Sequence, residues 1–276
     1  MTVLLSLLSA VAYGLSDFNG GWVAKRVSAW TVALASQCGG VLATLAIALP
    51  ADARPSGADL AWALLAGVGN GFGTSFLYRG LSGGRMGVVA PVSGVGAAVV
   101  PVVTGVLLGE RPGAVVWLGI ALAFPAIWFV ARGPTAATAP GSGGLLDGVV
   151  AGLGFGTLFV ALSRVSADGG LLPLAVNQAT GGVVIVAVAI AVRQPWLPRQ
   201  RRAALGLSSG VLAAVATWLF MVASRGSHLT VASVVVSLYP AFTVVLAALL
   251  LRERVYRTQG LGLLLCASSV VLVAAG

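Results

Sequence analysis

Charge is what this sequence has least of. Only 8% of its 276 residues are charged, against about a quarter in a soluble domain. Such a chain cannot cover a water-facing surface. Histidine occurs once, as His228, and the two cysteines, Cys38 and Cys266, both fall inside apolar runs. That usage implies neither a disulfide framework nor a zinc site, and no other metal site is expected. The single lysine, Lys25, follows alanine rather than glycine, so there is no phosphate-binding loop of the Walker type. The net charge of +9 could suggest nucleic acid as a partner, but the 16 basic residues are scattered through short segments between apolar runs. Scatter of that kind follows membrane topology, not a phosphate-binding face.

What is abundant is apolar surface, at 58% of the residues, and glycine, at 38 residues. A spanning helix needs about 20 mainly apolar residues. Ten such runs can be marked, at 2–21, 30–49, 60–79, 86–108, 113–131, 145–164, 171–192, 203–223, 230–250 and 256–275. The N-terminal run lacks the basic start and clear cleavage site of a signal peptide and is kept as a helix. The longest gap, ARGPTAATAPGSGG, reads as a flexible linker dividing five helices from five.

The second five repeat the first. LLGERPGAVVWLG at 107–119 returns as LLRERVYRTQGLG at 250–262, which aligns Glu110, Arg111 and Gly119 with Glu253, Arg254 and Gly262. Ala12-Tyr13-Gly14 answers Gly154-Phe155-Gly156, Ser36-Gln37 answers Asn177-Gln178, and Gly67 with Thr74 answers Gly210 with Thr217, at offsets of 141 to 143. Five is odd, so the second copy enters the membrane from the opposite side. The expected fold is all-α and polytopic: ten transmembrane helices as two inverted five-helix repeats, 1–131 and 145–276, joined by a linker at 132–144. Many secondary transporters have that architecture, with a site between the repeats. Glycines four apart, such as Gly67/Gly71, Gly69/Gly73 and Gly152/Gly156, suit close helix packing in lipid. Odd-numbered connections carry 12 basic residues and even-numbered ones 4. The positive-inside bias therefore puts both termini outside.

Several motifs carry less than they first suggest. Gly80-Leu81-Ser82-Gly83-Gly84 matches a serine nucleophile elbow, but an inverted repeat puts Ser82 and His228 on opposite faces of the membrane, and the elbow needs a base within reach. The run of alternate glycines from Gly67 to Gly73 follows no strand, so no dinucleotide cofactor is expected. Glu110–Arg111 and Glu253–Arg254 end apolar runs, where such a pair most often fixes a helix end. They are read as structural markers. Trp22, Trp30, Trp62 and Trp196 sit near run ends and read as interface anchors. Pro91, Pro101, Pro125 and Pro240 are candidate kinks.

Asp17 is different. It lies in SAVAYGLSDFNGG, with Tyr13 and Ser16 within a turn before it. If the first helix continues to Ala24, Asp17 stands only about 6 Å along the axis from its middle, at 1.5 Å per residue. If the helix stops at Gly20–Gly21, Asp17 is interfacial. An ionisable group deep in the bilayer is a functional hypothesis by default, here as a proton carrier. The remaining polar and large aromatic groups inside the runs are Gln37, Asn70, Tyr78, Asn177, Gln178, Trp218 and Tyr239. Singly each reads as helix-to-helix glue; together they would suit a cavity between the repeats.

SLYPAFTVVLAALLLRERVYRTQGLGLLL at 237–265, with SRGSHLTVASVVV before it, resembles the proline, acidic-residue and glycine pattern of the EamA branch of the drug/metabolite transporter superfamily. The likeness runs through nearly the whole chain. One departure is Ala97, which stands where the pattern expects the proline aligned with Pro240. The resemblance implies a bacterial inner-membrane carrier whose partners are the lipid bilayer and a small molecule, since members move amino acids, other metabolites and drugs. Protons and a second copy of the chain are further candidate partners. Members are commonly drawn with both termini in the cytoplasm, opposite to the charge bias. Export by alternating access is the expected activity. An uncoupled facilitator or exchanger, or a membrane scaffold that moves nothing, are the alternatives.

Overall fold

The computed structural model describes residues 1–24, 26–49, 54–82, 86–131, 143–225, 228–250 and 255–276. Glu253, Arg254 and most of the expected linker lie outside the described residues, as do Gly83 and Gly84. Among the described residues all regular structure is helical: α1 (Thr2–Ala24), α2 (Ala29–Ala48), α3 (Gly57–Ser82), α4 (Met86–Leu107), α5 (Ala114–Ala131), α6 (Gly143–Leu162), α7 (Leu172–Ala191), α8 (Gly206–Ala223), α9 (Leu229–Val236), α10 (Tyr239–Leu250) and α11 (Arg257–Ala275). In hydrocarbon each backbone N–H and C=O must be satisfied within the chain, and a helix does this locally. Among the described residues, eight stretches have the length and hydropathy to cross a bilayer; two shorter apolar helices, Val92–Leu107 and Ala114–Val130, accompany them. The outer surface bears large apolar side chains such as Leu42, Leu118, Val183 and Leu264, as contact with lipid requires.

The ninth apolar run is two helices rather than one. α9 ends at Val236, and α10 begins at Tyr239. Pro240 explains the break, because it has no N–H to bond the carbonyl one turn earlier and its ring crowds that turn. At the equivalent place in the first repeat stands Ala97, and α4 runs through unbroken. The departure noted in the sequence thus has a direct structural counterpart.

The two repeats interdigitate instead of lying side by side. The main packing partners are α3 with α6 and α7, α8 with α1 and α2, α4 with α6, α1 with α9 and α10, α2 with α7, and α5 with α11. Each pairing is either its own mate under the repeat or has its mate in the set, so the packing has an approximate two-fold relation. The glycines of the duplicated motif show why. A side chain on Gly119 would strike Val273 and the Ser269 carbonyl, and one on Gly262 would strike the backbone of Val130 and Phe129. Val130 and Val273 are themselves repeat equivalents, so α5 and α11 cross with each glycine receiving the other's valine. Likewise Gly67 accepts the Asn177 carbonyl, and Gly210 accepts the Ser36 carbonyl. Small residues at such crossings let backbones meet where lipid removes the usual hydrophobic drive.

Polar ties fix the helix ends. Glu110 accepts hydrogen bonds from the backbone N–H groups of Leu229 (2.7 Å) and Thr230 (2.9 Å), capping α9 from the other repeat. Asp59, buried in the first turn of α3, accepts from the Ser166 N–H (2.7 Å) and hydroxyl (3.0 Å). On the other helix ends Arg79 pairs with Asp147, and Ser28 donates to the Pro195 carbonyl at 2.8 Å. Every one of these joins two even-numbered connections or two odd-numbered ones. Trp30, expected as an interface anchor, is instead buried against Val23 and Leu77. Trp22 fits the expectation better: the Arg26 guanidinium lies 3.8 Å from its ring centroid.

Candidate functional site: a polar cavity between the repeats

α1 runs unbroken through Gly20 and Gly21 to Ala24. Asp17 therefore stands about 6 Å from the middle of its helix at 1.5 Å per residue, and the helix end at Gly20–Gly21 that would have made it interfacial does not occur. Tyr13 lies one turn earlier on the same face. Hydrogen bonds stitch α1 to α8 along its length: Ser9 to the Ala216 carbonyl (2.7 Å), the Tyr13 hydroxyl with that of Thr217 (2.8 Å), Ser16 to the Ser209 carbonyl (2.9 Å), and Asn19 Nδ2 to the hydroxyls of Ser208 (2.8 Å) and Ser209 (3.0 Å). They hold the Asp17 face of α1 toward the bundle interior.

There a cavity of about 50 Å³ opens between the repeats, room for a few water molecules. Tyr13, Ser16 and Asp17 line it from α1, Gln37 from α2, Asn70 and Tyr78 from α3, Gln178 from α7 and Tyr239 from the start of α10. Eight of the ten polar and aromatic residues singled out in the sequence meet here. Asn177 is fully buried just behind the wall, where its Oδ1 faces Asn70 at 3.4 Å. Trp218 is elsewhere: it is 44% exposed on the outer face of α8. Thr217, the residue before it, faces the cavity, and one position is 100° of helix rotation.

The cavity straddles the repeat relation. Gln37 and Gln178 line it as equivalents, as do Thr74 and Thr217, Tyr13 and Phe155, Asn70 and Ala213, and Asp17 and Phe159. Thr74, Thr217, Phe155 and Phe159 were not expected as site residues. For Phe155 and Phe159 the signal that would have found them is the repeat itself, which carries Tyr13 and Asp17 onto them; Thr74 and Thr217 are each other's mates, and no candidate points to either.

The amides act as a clasp across the repeats. Asn70 Nδ2 faces Gln178 Oε1 at 3.2 Å and both Gln37 Oε1 and Asn177 Oδ1 at 3.4 Å, while Thr74 donates to Asn70 Oδ1 at 3.2 Å. Two N–H groups serve three oxygens, so at most two of these bonds are made at once. Gln37 and Gln178 also floor a lateral apolar groove between α2 and α7. The clasp is thus a thin partition between cavity and groove.

Asp17 makes no such tie. Among the described residues no group donates a hydrogen bond to its carboxylate and no cation pairs with it. Asp59, Glu110 and Asp147 are all consumed at helix ends. No cluster of three or more metal-ligating side chains occurs among the described residues.

A helical membrane protein built from two interlocked repeats around a polar cavity is the class that this geometry defines. The profile of the EamA-like transporter family matches residues 1–132 and again 142–275, so the chain belongs to that family, within the drug/metabolite transporter superfamily. One solved crystal structure is similar over 99% of this chain and 96% of its own, with a TM-score of 0.75 at 14% sequence identity. At that identity the likeness concerns the fold. No curated protein matches the chain.

Proposed function

We propose that the chain is a proton-coupled secondary transporter of a small molecule, exporting it across a bacterial plasma membrane by alternating access. The observation that carries this reading is the unpartnered Asp17 carboxylate facing a polar cavity between two repeats. A carboxylate left without a partner in hydrocarbon is costly, so it implies a cation or proton that comes and goes. The cavity is too small in this conformation to hold more than water, which fits an occluded state that must open to admit cargo.

Ten crossings, with the second repeat inverted, suit the polar ties. Asp59 with Ser166 and Glu110 with Leu229 join even connections, whereas Arg79 with Asp147 and Ser28 with Pro195 join odd ones. A zigzag of ten helices puts each tied pair on one side of the membrane. Rocking one repeat against the other would part the Asn70 clasp on one side of the cavity and the α1–α8 hydroxyl bonds on the other. The break at Ser237–Leu238 supplies a hinge beside Tyr239. A polar cavity speaks against a scaffold that moves nothing.

Proteoliposomes loaded with a pH-sensitive dye test this. On addition of panel compounds (amino acids, nucleosides, amine drugs), at least one should elicit compound-dependent proton movement in the wild-type protein. Asp17→Asn should abolish it, with the helical circular dichroism unchanged. Compound flux that is indifferent to an imposed pH gradient, and equal in Asp17→Asn, would falsify the coupling and leave a facilitator or exchanger.

A further inference from the structure

We infer that the connection between α7 and α8 binds an anionic phospholipid of the leaflet it faces, its arginines on the headgroup and its exposed apolar side chains against the acyl chains. The inference stands on this surface alone and does not depend on what the cavity carries.

The odd-numbered and even-numbered connections differ in charge. The odd-numbered ones, with the helix ends beside them, hold twelve basic side chains and two acids, Asp147 and Glu253; the even-numbered ones hold four of each. Four of the twelve, Arg193, Arg199, Arg201 and Arg202, fall in one stretch of ten residues that contains no acid. All four are exposed, and among the described residues none pairs with a carboxylate. Arg79, on a neighbouring connection, is by contrast taken up by Asp147.

The chain holds this stretch at a helix end and leaves its charge outward. α7 finishes in a turn in which the Gln194 N–H donates to the Ala189 carbonyl (2.8 Å) and the Arg193 N–H to that of Ile190 (3.0 Å). The pivot of such a turn is usually glycine. Here it is Arg193, with a φ of 54°. The Ser28 bond to the Pro195 carbonyl brings the α1–α2 connection alongside, and with it Arg26 on the Trp22 ring. Trp196 packs, partly buried, against the cluster that holds Val23 and Val27. Tryptophans at one level suit the edge of the hydrocarbon.

Among the arginines, Val192, Leu197 and Leu205 stay exposed. Guanidinium groups and bare apolar side chains on one surface match the boundary between headgroups and acyl chains. A guanidinium fork fits phosphate oxygens, and every basic residue near an anionic surface adds attraction. Setting the orientation of the chain would need the positive charge alone. It would not need leucines left open within it.

The test is native mass spectrometry of the full-length protein in detergent, with equal amounts of phosphatidylglycerol and phosphatidylcholine of matched chains. Wild-type protein should retain the anionic lipid at least about tenfold over the zwitterionic one. The triple variant Arg199→Gln, Arg201→Gln, Arg202→Gln should lose that preference, at about fivefold per arginine removed. A matched triple, Arg54→Gln, Arg111→Gln, Arg164→Gln, removes the same charge from exposed positions on even-numbered connections and should keep it. In wild-type protein, raising ammonium acetate from about 0.05 to about 0.5 M should cut the preference by screening, a measurement that needs no variant to fold. Excess glycerol phosphate, the headgroup without chains, should not displace the lipid. Equal retention of the two lipids, equal loss in the two triples, a preference indifferent to salt, or displacement by glycerol phosphate would each overturn the proposal.

Discussion

Glu110 gives the sharpest test of how the repeats are locked. Its two carboxylate oxygens accept the Leu229 and Thr230 N–H groups at 2.7 and 2.9 Å, two of the donors that the start of α9 leaves unsatisfied. Hydrogen bonds to a charged group contribute about 1.5–3 kcal/mol each. An anion at a helix N-terminus adds about 0.3–1 kcal/mol. Glu110 is partly open to solvent, so water recovers some of this when the side chain goes. Glu110→Ala should then cost roughly 2–4 kcal/mol. Glu110→Gln, which keeps one oxygen acceptor, should cost about half as much. Arg111, its exposed neighbour, serves as the control, and Arg111→Ala should stay within about 0.5 kcal/mol of wild type. Equilibrium unfolding in mixed micelles, followed by far-ultraviolet circular dichroism, reads all three. If Glu110→Ala proves as mild as Arg111→Ala, the capping bonds do not hold the repeats together and the argument is wrong.

Two further predictions follow from packing. Gly262→Ala sets a methyl group against the Val130 backbone and should destabilise by about 1–3 kcal/mol, whereas Gly260→Ala, with nothing within 4 Å of the new carbon, should be neutral or slightly stabilising. A thermal melt of the two variants side by side decides whether close approach or helix propensity governs α11. Trp218→Ala removes an outward-facing side chain, so binding of any cavity ligand should be unchanged when titrated beside the wild-type protein. A loss comparable to that of a cavity residue would mean that α8 is rotated from the position described.

The repeat and half of the cavity residues were legible in the sequence because polar residues are rare enough in these runs to stand out. Helix facing was not. In a soluble helix the polar stripe marks the outside, but lipid and protein interior are both apolar, so hydropathy does not say which way a side chain points. Trp218 shows the cost: depth in its run was readable, rotation was not. Small residues carry what facing information there is. Gly210, Ala214 and Thr217 on α8 are buried and recur at helical spacing, as the buried Gly67 and Asn70 and the half-buried Thr74 do on α3, facing the partner repeat or the cavity. Trp218 falls off that stripe. The end of helix packing was equally hidden, since nothing local in Asp59 or Glu110 says that its partner lies more than 100 residues away.

Duplication also explains where chemistry could be placed. Positions at which both repeats keep the same type of residue, such as Gly119 with Gly262 and Gln37 with Gln178, hold the crossings and the clasp, and changing one copy damages a contact that the other copy also makes. Positions at which the copies differ are free of that constraint. Asp17 faces the cavity opposite Phe159, Asn70 opposite Ala213, and Pro240 breaks its helix where Ala97 leaves α4 whole. Each of these differences falls at or beside the cavity, and each adds something a symmetric lining would lack: one charge instead of two repelling ones, one amide that gathers the others, one hinge. A second carboxylate at position 159 would set two like charges across a cavity of about 50 Å³, and a single proton would leave one of them unpaired. The asymmetry at Asp17 and Phe159 therefore leaves the cavity one carboxylate for one proton to neutralise, as the proposed coupling requires.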